Sequence, residues 1–204
     1  MTWLFRRWRP LAVAVITSAV AVGVGVSLSD PAAPVATPLA HSLSTLDTTT
    51  MTLARAPMCG AVDAADVTAA LGAGAATSTT WKNGDTAPLG SVSDVAHEYG
   101  CSWTAGARSA SAWVFAPPVT VAEAGDLVAA AKAVKGCTPI PGAPAFGSPS
   151  IALSCGDTVS YRGLYGDAWL VCTLTGPSAT TTPLALRWCA SVALAAQRAP
   201  TAQP

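Results

Sequence analysis

Six cysteines, Cys59, Cys101, Cys137, Cys155, Cys172 and Cys189, all lie behind a basic and then apolar N-terminus. An even cysteine count behind an export-type leader points to a domain that folds in an oxidising compartment and is held by disulfides. This constrains the fold before any periodicity is considered, because each bridge draws two distant segments to a Cα separation of about 6 Å. The alternative use of such cysteines, a metal or redox site, fails on spacing. The chain has no C-x-x-C, and His97 is the sole histidine beyond the first cysteine.

The leader reads Met1-Thr-Trp-Leu-Phe-Arg6-Arg7-Trp8-Arg9-Pro10, and Leu11 to Leu28 then carries no charge. Arginines ahead of an apolar run hold the N-terminus on the cytoplasmic side. A run of about 18 residues lies at the lower limit for a membrane span and above a typical signal-peptide core. Residues 1–29 are therefore expected to be a signal peptide or an N-terminal membrane anchor, and everything after them extracytoplasmic. A lipid anchor would need a cysteine directly after the apolar run, and the first is Cys59. Residues 30–57 are rich in Pro, Thr and Ala, which predicts an extended linker with a solvated His41.

One domain of ordinary size remains, 58–199. Cys59 to Arg198 holds seven Lys/Arg and nine Asp/Glu, a net charge of −2. That balance offers no basic face to nucleic acid and no polybasic stretch to anionic lipid.

Local signals divide the domain. Asp63 is placed to N-cap a short helix, with Val62 and Val67 at the staple positions and Gly72 as its stop. Thr77–Trp81 predicts one irregular strand in an otherwise loop-like stretch up to Ala96. Tyr99–Thr104 and Ser111–Ala116 predict a hairpin around Ala105-Gly106-Ala107-Arg108. Thr120-Val-Ala-Glu123 is a capping box, and Leu127, Ala131 and Val134 continue the helical spacing toward Gly136. Strands are expected at Ile151–Cys155, Thr158–Gly163 and Ala168–Leu174. A last helix is expected from Thr182, with Pro183 at its first position, a stripe of Leu184, Trp188, Ser191, Val192 and Ala195, and Pro200 as its end. Strand runs with short turns, set among helices, predict an α+β fold: an antiparallel sheet with packed helices, stapled by three disulfides.

Six cysteines allow fifteen pairings. The element order prefers three of them. Cys137 and Cys155 flank the loop after the second helix, Cys172 and Cys189 join the last strand to the helix crossing it, and Cys59 and Cys101 tie the first helix to the hairpin. Each loop closed this way contributes roughly 3 kcal/mol.

Few residues suggest chemistry. Asp94, His97 and Glu98 form the one cluster resembling a site, but His-Glu lacks the second histidine of a zincin, and no G-x-S-x-G accompanies His97. Asp157 and Asp167 could form a carboxylate dyad, or each serve as a turn residue beside Gly156 and Gly166. No glycine-rich phosphate loop is present. Trp113, Trp169 and Trp188 are placed for the core. Trp81, followed by Lys82-Asn83-Gly84-Asp85, is expected at the surface as a contact for a sugar or a partner.

Two stretches carry a resemblance. Cys59-Gly-Ala-Val-Asp63-Ala-Ala-Asp66-Val-Thr-Ala-Ala-Leu71-Gly72, followed by Gly100-Cys101-Ser-Trp103, resembles the opening of a family of exported actinobacterial envelope proteins of unknown function, many of them lipoproteins. Arg162 to Cys172 is similar to a stretch of actinobacterial envelope proteins. The resemblance implies an α+β envelope domain and supplies no functional residues; this chain departs from its lipoprotein members in lacking the lipidated cysteine. The expectation is a non-catalytic exported envelope protein, without a cofactor, that binds a protein, glycan or small ligand. The alternative is an envelope hydrolase or metal-dependent enzyme using His97.

Overall fold

The computed structural model describes residues 41–89 and 92–199. The leader at 1–29, the linker up to residue 40 and Pro200 lie outside them. Among the described residues three α-helices and nine strands follow in order: α1 (Ala64–Leu71), β1 (Thr77–Trp81), β2 (Thr86–Leu89), β3 (Val92–Val95), β4 (Glu98–Ala105), β5 (Arg108–Phe115), α2 (Val121–Lys132), β6 (Thr138–Pro139), β7 (Ser150–Cys155), β8 (Thr158–Tyr165), β9 (Ala168–Thr175) and α3 (Ser178–Arg198). Seven strands form one sheet in the order β1-β4-β5-β9-β8-β7-β6, every neighbour antiparallel. β2 and β3 form a separate ribbon. The fold is α+β, as the sequence predicts.

The sheet is covered differently on its two faces. Ala110, Ala112 and Val114 of β5, Val159 and Tyr161 of β8, and Leu170, Cys172 and Leu174 of β9 alternate inward on one face. There they meet α1 and the stripe of α3 that holds Trp188, Cys189, Val192 and Ala196. On the other face Trp113, Phe115, Leu164, Trp169 and Val171 meet Val119, Ala124, Leu127 and Val128 on and just before α2. This period-2 alternation with apolar residues on both sides marks a sheet sandwiched between helices.

The three bridges pair Cys59 with Cys101, Cys137 with Cys155, and Cys172 with Cys189. They join the turn before α1 to β4, the segment after α2 to β7, and β9 to the α3 helix packed on it. Three disulfides fit an oxidising, extracytoplasmic environment. Among the described residues no helix is long and apolar enough to cross a membrane.

Four expectations need correction. The linker read over 30–57 does not extend to Pro57. Leu43, Leu53, Ala56 and Met58 are buried, and three of them belong to the core beneath α3. Buried Thr48 fixes this segment, donating to the Ala145 carbonyl (2.8 Å) and accepting from the Gly147 amide (3.1 Å). Arg55 then bonds the Ala116 carbonyl and pairs with Asp167 at 3.1 Å. Composition concealed this because four sparse apolar side chains, rather than a periodic run, carry the packing. His41 is exposed.

α2 ends at Lys132, so Val134 falls outside the helix and is 43% exposed. The chain must turn there to carry Cys137 to Cys155, and Gly136 takes φ +78° in that turn. α3 begins at Ser178, four residues before the expected start, which leaves Pro183 inside the helix on an exposed face. The Thr181 hydroxyl supports the early start by donating to the Gly176 and Pro177 carbonyls at 2.8 Å. The stretch read as irregular up to Ala96 contains the β2–β3 ribbon. Pro88 in β2 and Ser93 and Asp94 in β3 weaken its strand signal. Backbone bonds at its base, Gly84 N to Ala96 O (2.9 Å) and Ala96 N to Asp85 O (2.8 Å), hold it.

Candidate functional site

The polar cluster noted around His97 does not converge. Asp94 lies exposed on β3, and its carboxylate accepts from the Val95 amide at 2.8 Å. Glu98 opens β4 and its Oε1 accepts from Trp81 Nε1 at 3.2 Å. His97 stands between them, exposed, with its backbone carbonyl bonded to Ala116 N. Among the described residues no group of three His, Cys, Asp or Glu side chains is placed to hold a metal ion. Asp157 and Asp167 sit in the turns at opposite ends of β8, roughly 25 Å apart at the strand's rise per residue, so they do not form a dyad. Asp167 instead pairs with Arg55.

His97 does reach a concavity. Together with Phe115, Pro117, Pro118, Val119, Glu123, Asp126, Leu127 and Ala130 it lines a groove of about 580 Å³ between α2 and the end of β5. Ligand sites commonly span about 300–1,000 Å³ and are walled by apolar groups with a few polar ones. Local sequence builds this groove. Pro117-Pro118 ends β5 and turns the chain, buried Val119 anchors the turn with its amide on the Asp167 carbonyl (2.9 Å), and the capping box then starts α2. The Thr120 amide and hydroxyl both donate to Glu123 Oε2 at 2.8 Å, which holds the Glu123 carboxyl below its ordinary value. Asp126 is exposed at the rim, one turn from Ala130. Among the described residues no Lys or Arg lines the groove; its walls are apolar and the carboxylates of Glu123 and Asp126 lie at its rim.

Trp81 is less exposed than its neighbours in sequence suggest. Residue 81 is directly opposite Gly100 in the sheet, and its indole lies over that glycine, where a Cβ would overlap the ring. With Nε1 held by Glu98, the ring is fixed and half-buried. Its rim also borders a second hollow of about 460 Å³, with Pro57, Cys59, Gly60, Thr80, Lys82 and Asp85. Trp169 and Trp188 are core residues, Trp188 donating to the Thr173 carbonyl (3.2 Å) and meeting Trp103 edge-on at 5.6 Å.

Sequence reasoning identified His97 and the capping box but not the groove between them. Phe115, the proline pair and the exposed side of α2 come together only because α2 folds back across the sheet. The available signal was a Pro-Pro stop directly before a capped helix, which forces a sharp reversal. No family model, no curated protein and no solved structure matches this chain.

Proposed function

We propose that this chain is an exported, non-catalytic binding module that works outside the cytoplasm, with the 1–29 segment as its leader or membrane anchor. The groove of α2 takes a small ligand with an apolar body and a cationic head. One observation carries this reading: the groove joins apolar walls of Phe115, Pro117, Val119 and Leu127 to a rim holding Asp126 and Glu123, with His97 beside them and no described Lys or Arg. Apolar area supplies affinity, and the carboxylates choose the sign of the head. The absence of a general-base arrangement around His97 supports binding over hydrolysis, since Asp94 and Glu98 are engaged elsewhere. Three buried or half-buried bridges support a site outside the cytoplasm. The resemblance to exported actinobacterial envelope proteins agrees with this placement.

Decyltrimethylammonium and decanoate share one chain and differ in head charge, so a thermal-shift titration with both tests the reading. The cationic probe is expected to raise Tm through preferential binding to the folded state, and Ala130→Arg, at an exposed groove position, to abolish the rise. Equal responses to the two probes, or none, would contradict the proposal. A His97→Ala protein should keep the response, whereas loss of a hydrolytic activity in that variant would favour an enzyme.

A further inference from the structure

Three ionisable side chains line the α2 groove, and they are of two kinds. Glu123 and Asp126 stand one helical turn apart on α2, and His97 enters from the segment between β3 and β4. The rest of the wall is apolar. A space of about 580 Å³ is roughly 8 Å across, about one Debye length at physiological ionic strength. Each charge in the groove therefore acts on the others and on a charged ligand head between them. The apolar wall displaces water and strengthens these interactions.

The other charges around His97 are engaged elsewhere. Next to it in the chain, Asp94 accepts from the Val95 amide at 2.8 Å and Glu98 from Trp81 Nε1 at 3.2 Å. Lys82 and Asp85, at the base of the β2–β3 ribbon, border the second hollow. Arg55, which bonds the Ala116 carbonyl, is paired with Asp167. The turn from Phe115 to Thr120 carries no charged side chain. His97 itself is exposed, so its ring exchanges protons with solvent. From α2, the carboxylates that line the groove with it are Glu123 and Asp126.

We infer that His97 is a pH gate on this groove: its protonation releases the cationic head that Glu123 and Asp126 hold. The inference rests on the reading of the groove as a site for a ligand with a cationic head. Histidine is the side chain that ordinarily changes charge between pH 5 and 8, and carboxylates ordinarily do so below that window. Hydrogen bonds from the Thr120 amide and hydroxyl hold the Glu123 carboxyl lower still. Glu123 therefore stays anionic while the imidazole gains its proton. Two carboxylates and a neutral imidazole give the lining a charge of −2, and the imidazolium brings it to −1. Attraction for the head weakens, and a like charge now stands beside it. The coupling is reciprocal, so a bound cation makes His97 harder to protonate. Binding is full above the titration of the imidazole and is lost as pH falls through it. The module holds its ligand in neutral surroundings and sheds it in acid.

Isothermal titration of the full, oxidised chain with decyltrimethylammonium tests this at about pH 7.5 and about pH 5.5, at one ionic strength, with Ala130→Arg as the blocked-groove reference. The wild type should bind about three- to tenfold more weakly at the lower pH, the effect of one added unit charge roughly 8 Å away in a partly aqueous site. His97→Ala should keep the neutral-pH affinity and lose the difference. His97→Lys, a permanent cation at the same exposed position, should bind weakly at both pH values. Equal wild-type affinity at the two pH values overturns the gate and leaves the groove reading standing. A pH effect that persists in His97→Ala belongs to the carboxylates and also overturns the gate. Absence of wild-type binding at either pH removes the groove reading, and the gate with it.

Discussion

Gly100 and Trp81 show how a single missing Cβ positions a side chain. The glycine opens a floor for the indole, and Glu98 holds the ring by its Nε1. Gly100→Ala should cost about 1–3 kcal/mol, the usual range for overpacking, and should shift the tryptophan emission toward that of a solvated indole. A variant with wild-type stability and emission would contradict the placement of Trp81. The sequence marked Trp81 as the exceptional tryptophan, but only the pairing of Trp81 with Gly100 explains why. Two tyrosines set an alkaline limit. Burial pushes the Tyr161 phenol up to about 12 and that of Tyr165 further still. A phenol whose folded value lies above its unfolded value of about 10 stabilises the fold fully below that pH. The contribution then falls as pH rises through the folded value. Unfolding by alkali is expected between about pH 10 and 12, with tyrosinate absorbance from these two residues appearing together with loss of structure. Tyrosinate absorbance from both in a protein that stays folded at pH 10 would contradict their burial.

At the scale of elements, legibility followed local chemistry. The capping box of α2 and the Asp63–Gly72 boundaries of α1 were readable because caps are short-range hydrogen bonds with a fixed spacing. Strand β1 was readable from β-branched residues, and the two long hairpins from alternation around glycine turns. The β2–β3 ribbon was not, because Pro88 and the polar residues of β3 mimic a loop. The start of α3 was misplaced because proline is commonest in a first turn, which drew the boundary to Pro183, while the local Thr181 hydroxyl bond that accompanies the earlier start leaves no spacing signal. The groove was invisible for a different reason: its walls come from β5, the proline turn and α2, which meet only in the fold. Thr120→Ala should remove about 1 kcal/mol by unmaking the cap, read as a lower urea midpoint at constant m-value. It should also weaken the cationic probe, since the groove rim rides on the first turns of α2. An unchanged midpoint would mean that the capping box does not hold the helix.

For the whole molecule, the folded unit is larger than the cysteines outline. Leu43, Leu53 and Met58 belong to the same core as Trp188 and Val192. Leu43→Ala should therefore cost about 2–5 kcal/mol, as for other fully buried aliphatics. A near-neutral effect in denaturant titration would return this segment to the status of a linker. The disulfides bind the parts of this unit together, and their pairing followed from element order because each cysteine sits where two elements end or cross. The account rests most heavily on these bridges, which fit an oxidising, extracytoplasmic environment and tie the elements into a single topology. The decisive measurement is a disulfide map, by protease digestion and mass spectrometry without reduction, of the protein recovered from cells that export it. The account predicts Cys59–Cys101, Cys137–Cys155 and Cys172–Cys189 with no free thiol. Free thiols throughout would contradict the placement outside the cytoplasm, and any other pairing would contradict the fold.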